Sequence, residues 1–277
     1  MPTMVKPLAL QALIQSPAHK LGRTMRFSSL PRFVIAVLGV FFTLALVAPL
    51  PFALVMPGSA ENIFEKIITV KNQKSYPATG RLDLMSVRVT NPNNWIIGPE
   101  IIYSWLRSDE AVYPRAAIYP PGATNASEEK AATADMTSSQ SKAIGAALAF
   151  LRANPNFKVT RDQLVEKNVH FDIKRTGGPS GGMIFAIGVI ELLTPRDILD
   201  GRHISGTGTI SIDGTVGPIG GINEKIHAAQ KAGAKIFLAP VGNQRDITNP
   251  QQGITVIFVA TLTDAINALL VGAKPAP

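Results

Sequence analysis

A serine set among glycines, Gly177-Gly178-Pro179-Ser180-Gly181-Gly182, runs directly into the apolar segment Met183–Ile190. Glycines permit a tight turn, and the apolar run predicts a helix that starts at it. Backbone N–H groups at a helix start are unpaired and carry partial positive charge, so they can hold a developing oxyanion. A serine there is a candidate nucleophile. Forty-five positions on lies Lys225, in a segment Ile222–Ala232 that fits a helix closed by Gly233. At helical spacing Glu224, His227 and Lys231 share a polar stripe, whereas Lys225 aligns with Ile222, Ala229 and Ala232. Burial removes the hydration of an ammonium, and the positive end of the helix dipole disfavours it further. A lysine so lowered in pKa can serve as general base to a serine. Spacing alone leaves open a lysine whose stem packs while its ammonium reaches solvent.

Two separated motifs, Gly178-Pro-Ser-Gly-Gly182 and Gly208-Thr-Ile-Ser-Ile-Asp-Gly-Thr-Val-Gly-Pro-Ile-Gly-Gly-Ile-Asn-Glu-Lys225, together resemble the proteolytic domain of Lon-type proteases. The similarity extends through Ala228–Pro240 to Arg245-Asp246. The resemblance implies a Ser-Lys dyad at Ser180 and Lys225, with Gly178, Pro179 and Gly181 shaping the serine turn. It also implies protein or peptide substrates, a homo-oligomer, no cofactor, and an α+β fold of mixed sheets and helices. Thr207 matches a family threonine near the dyad lysine; on its own it is equally a plain strand threonine. His170, on the alternating stretch Val169–Ile173, is a candidate orienting residue or a satisfied strand histidine. The family pattern has an acidic residue directly before Gly-Pro-Ser, where this chain has Gly177.

The remaining chemistry narrows quickly. Gly178-Pro-Ser-Gly-Gly182 also satisfies the G-x-S-x-G pattern of esterases, but no histidine follows His227 to complete that triad. The chain has no cysteine, and its four histidines show no metal-ligand spacing. No Gly-Lys dipeptide occurs, so the phosphate-cradling loop of a nucleotide hydrolase is missing and activity without ATP is expected. A competing expectation is a Lon-like domain that assembles or binds without catalysis.

The elements around the dyad follow from composition. The 277 residues are 46% hydrophobic and 17% charged, with a mean hydropathy of +0.18, which leans toward membrane association. Residues 1–32 carry Lys6, Lys20, Arg23, Arg26 and Arg32 without an acid, so much of the net +8 sits in a basic tail rather than in a nucleic-acid-binding stripe. Residues 33–56 are uncharged and apolar and predict a transmembrane anchor, with the basic tail cytoplasmic and the catalytic domain outside. Pro57-Gly-Ser-Ala60 offers the competing view of a cleaved signal peptide.

Beyond the anchor, residues 57–118 predict a small mixed region, with strands at Ile67–Val70 and Leu82–Thr90 and a short helix at Ile97–Leu106. Trp95 and Trp105 lie near the ends of that helix, where they fit either a place by the lipid headgroups or, as is more common, packing inside the region. The Pro-, Gly- and Ser-containing residues 119–141 read as a linker or loop. A helix is expected over Ser138–Leu151, residues 142–271 form the expected proteolytic domain, and 272–277 a tail. The stretch Met136–Ile144, with the apolar segment upstream, is similar to membrane-anchored Lon-like proteases of bacteria. Those carry a PDZ insert, yet His170 follows Phe150 by only 20 positions, too few for one.

Overall fold

A computed structural model describes residues 30–173, 178–248 and 253–272. The basic tail to residue 29, Gly177 and the tail from 273 lie outside the described residues. The chain divides into two units, residues 1–45 and 46–277.

In chain order come α1 (Arg32–Val47), β1 (Phe52–Asn62), α2 (Ile63–Lys66), β2 (Ile68–Val70), β3 (Arg81–Val89), α3 (Gly98–Trp105), β4 (Ala111–Pro114), α4 (Arg115–Ile118) and α5 (Asn125–Ala153). Then follow β5 (Val169–Phe171), α6 (Gly182–Leu193), β6 (His203–Gly206), β7 (Thr209–Ile210), β8 (Val216–Gly217), α7 (Ile222–Lys231), β9 (Ile236–Pro240), β10 (Thr255–Val259) and α8 (Leu262–Gly272).

The expected membrane span at 33–56 is not one helix. Helix α1 has 16 residues, about 24 Å at 1.5 Å per residue. Among the described residues no helix is long and apolar enough to cross a membrane. Pro49 and Pro51 cannot continue a helix, and the apolar residues after them enter β1, where Ala53 and Val55 are buried. An apolar run bounded by prolines was half helix and half core strand, two states that apolarity alone does not separate.

Residues 57–118 do not stand apart either. They supply β1, β3 and β4 to a six-stranded sheet of order β10-β9-β6-β3-β1-β4. Strands β3, β6, β9 and β10 run parallel, in register Leu82↔Ile204 and Ile204↔Ile236, while β1 pairs antiparallel with both β3 and β4. Alternate residues of β3 feed the two sides. Leu82 and Leu84 join the core built with α5, α6 and α8, and Met85 joins the smaller core with Ile222, Ile226 and Ala229 of α7. The dyad helices thus lie on opposite faces of one sheet.

The stretch read as a linker is helical from Asn125, because its breakers are confined to Pro120-Pro121-Gly122. Thr124 caps α5: its hydroxyl accepts from Ser127 N–H at 3.2 Å, and Ser127 Oγ accepts from Thr124 N–H at 2.9 Å. The alanines and charged residues that follow are strong helix formers.

Candidate active site

Ser180 sits in a single 3-10 turn, Pro179–Gly181, that leads straight into α6. The turn needs its glycines. Gly178 has φ +92°, and a Cβ on Gly181 would meet Leu84 Cδ1 at 2.6 Å and the Phe185 ring. Four hydrogen bonds hold the turn from outside. Gly178 N–H donates to Ala132 O at 3.1 Å and Ser139 Oγ to Pro179 O at 3.1 Å, both tying it to α5. Gly208 N–H and Thr207 Oγ1 donate to Ser180 O at 2.8 and 2.9 Å. The serine carbonyl is fixed by the strand end after β6, which leaves its Oγ to meet Lys225.

Lys225 arrives from the opposite face of the sheet. Helix α7 begins after Gly221, whose φ of +69° turns the chain, and Lys225 N–H donates to Gly221 O at 3.1 Å in the first turn. Its side chain is 2% exposed. Nζ lies 2.8 Å from Ser180 Oγ and 3.1 Å from Thr207 Oγ1. Burial pushes the Lys225 ammonium down to about 8, against a smaller opposing pull from the Glu224 carboxylate. In the neutral form, the serine hydroxyl can donate to the amine at hydrogen-bond distance, the arrangement a general base requires.

Thr207 therefore bridges both partners, donating to the serine carbonyl and accepting from the lysine. His170 does not reach them: it is exposed on β5, opposite Thr69, and among the described residues no hydrogen bond joins it to Ser180 or Lys225. Glu224 departs from the expected exposed stripe. It is 5% exposed, because α7 packs against β1, and burial raises its carboxyl pKa.

Two sets of positioning groups were not singled out from the sequence. Ala132 lies in the stretch read as a loop, where the Thr124/Ser127 cap was the available signal, and Ser139 lies in the expected helix, where periodicity does not reveal its bond to Pro179 O. Asn243, 2% exposed, braces the approach to α7: its Oδ1 accepts from Ile219 N–H at 2.9 Å, and its Nδ2 donates to Ile219 O and Asp246 Oδ2, both at 2.8 Å. A buried amide with its bonds made is invisible to periodicity.

Residues 123–272, from just before α5 to the end of α8, match the Lon protease (S16) C-terminal proteolytic domain. The chain belongs to that family. Among curated relatives, Lon protease of Neorickettsia sennetsu is 25% identical over 219 residues, covering 76% of this chain and 25% of that protein. Lon protease 1 of Bacillus subtilis is 36% identical over 101 residues, covering 35% of this chain and 13% of its own. Lon protease of Trichlorobacter lovleyi is 33% identical over 138 residues, covering 47% and 17%. The chain therefore spans about a quarter or less of the length of these relatives. The Lon-type domain includes all of α5, consistent with the grip of that helix on the serine turn.

Proposed function

We propose that this chain is a serine endopeptidase working through Ser180 and Lys225 on protein or peptide substrates. The observation that carries this is a lysine amine, buried and lowered to about 8, placed 2.8 Å from the hydroxyl of a serine in a glycine-built turn. Neutral Lys225 takes the Ser180 proton as Oγ forms its bond to the peptide carbonyl carbon. The carbonyl π electrons move to oxygen, where backbone N–H groups around Ser180 stabilise the negative charge. The C–N bond then breaks, and Lys225 returns the proton to the leaving amine. Water, deprotonated by Lys225, releases the acyl group. Thr207 keeps amine and serine turn in register throughout.

No step requires a nucleotide, so ATP-independent cleavage is part of the proposal. We further propose a lipid tether in α1, with the catalytic unit outside the cell. Phe33, Phe41, Phe42 and other large apolar side chains of α1 are exposed, none of its residues is buried, and its one hydroxyl, Thr43, is satisfied by Gly39 O at 2.8 Å. At about 24 Å it falls short of a hydrocarbon core of about 30 Å, a mismatch that local thinning accommodates.

The test is casein cleavage without nucleotide by the full chain and by Ser180→Ala and Lys225→Ala. Both variants are expected to lose activity by at least about 10³-fold. Cleavage that survives Lys225→Ala would overturn the dyad.

A further inference from the structure

The tryptophans do not pack inside the domain. Trp95 and Trp105 are each 72% exposed. Helix α3 is held by its other side, through buried Ile101 and Ser104, with Ser104 Oγ donating to Glu110 at 2.8 Å. Ile102, Trp105 and Leu106 lie three and four positions apart, so they share one face. Leu106 is 82% exposed, and Tyr103 is exposed beside them. The only charged residue between Trp95 and Leu106 is Glu100, and its carboxylate is occupied at the helix start, accepting from Ile97 N–H at 3.0 Å. The outcome is an aromatic-rich apolar face bordered by Arg107, whose guanidinium lies over the Tyr103 ring at 5.8 Å and is paired with Asp109 at 2.9 Å.

Its position along the chain says what covers it. Leu50 N–H donates to Ile96 O at 2.8 Å, an isolated bridge that fixes the segment following α1 beside Trp95. Only Ala48 and Pro49 separate the end of α1 from Leu50, a reach of about 11 Å. A bilayer that takes up α1 therefore comes within a few side-chain lengths of Trp95 and α3. Trp and Tyr favour the water–lipid boundary because their rings are apolar and their N–H or O–H stays hydrated.

Resting on the tether proposed above, we infer that Trp95 and the Ile102–Leu106 face of α3 form a lipid-contacting surface, on which the catalytic unit lies against the headgroup region of the membrane that holds α1. This face fixes the orientation of the catalytic unit over the bilayer. A second copy of the chain is the competing occupant.

The chain has two tryptophans in all, Trp95 and Trp105, both exposed, so tryptophan emission excited at long wavelength reports on this surface alone. The full chain is mixed with vesicles of equimolar phosphatidylcholine and phosphatidylglycerol, with and without brominated acyl chains. Expected results are co-flotation, a blue shift, and loss of most of the tryptophan emission in brominated vesicles. Ile102→Ser with Leu106→Ser, at exposed positions that leave the thermal melt unchanged, should keep flotation but diminish the quenching. Flotation without quenching overturns the inference while leaving the tether intact. A blue shift that ignores bromine and grows with protein concentration assigns the face to a second copy, and also overturns it. Absence of flotation removes the tether and the inference together.

Discussion

Lys225 is the residue at which stability and chemistry pull apart. The unfolded chain holds this proton up to the ordinary value of 10.5, whereas the folded chain releases it at about 8. Between those values the unfolded state binds more protons, so stability rises with pH across the window and the penalty is complete below pH 8. At about 1.4 kcal/mol per unit, this is a cost of roughly 3 kcal/mol, part of which is offset by the bonds to Ser180 and Thr207 at about 1 kcal/mol each. Lys225→Met is therefore expected to abolish cleavage and yet raise stability at pH 7 by about 1–2 kcal/mol, or roughly 3–6 °C in Tm. The gain should shrink as pH rises toward 10.5, which paired melts at neutral and alkaline pH would reveal. A gain that stays constant with pH would mean the amine is not the source. If Lys225 is the general base proposed above, single-turnover cleavage should climb through about pH 8, and a profile flat across that region contradicts a neutral-lysine base.

The elements exist to place that amine. Helix α7 can start where it does because Gly221 adopts φ +69°; an Ala there would put Cβ 2.9 Å from Val87 Cγ1. The left-handed conformation alone costs a residue with a Cβ about 1–2 kcal/mol. The shift needed to relieve the clash moves the first turn, and Lys225 with it. A displacement of one ångström costs on the order of 10²-fold in rate. Gly221→Ala should thus lower kcat far more than it raises KM, while far-UV circular dichroism remains that of a folded chain; a variant with normal kcat would release α7 from this role. Much at this scale was legible in the sequence. The strand at β3 and the helices α3, α6 and α7 all followed from period and turn chemistry. That Ser180 and Lys225 would meet was expected from spacing joined to resemblance, and Thr207 beside them from the resemblance alone. What escaped was tertiary in origin. Glu224 is buried because β1 happens to cover it, Asn243 matters only through its partners, and the tryptophans are exposed because α3 anchors by its other side. The part of α5 before Ser138 was missed for a local reason, since Pro120-Pro121-Gly122 marked a boundary that ends at residue 124 rather than a loop that continues.

At the scale of the molecule, the sheet decides how much chain the site needs. The family match begins at residue 123, yet β3 is sandwiched between β6 and β1, upstream of that point. Removing residues 1–118 would turn β6 into a raw edge and strip Leu82 and Leu84 from the larger core and Met85 from the one beneath α7. Three fully buried side chains contribute about 1.5–3 kcal/mol each, comparable to the 5–15 kcal/mol by which a whole domain is stable. Residues 119–277 alone are accordingly expected to aggregate, or to melt without a cooperative transition. Residues 48–277 retain β1, the Leu50–Ile96 bridge and every strand of the sheet, and should melt cooperatively and cleave casein at the rate of the full chain in detergent. Differential scanning calorimetry of the two fragments separates these outcomes. If the shorter fragment folds and cleaves, β1 and β3 are an accessory layer. If it fails while the longer one works, the upstream strands are as much a part of the protease as the serine turn itself.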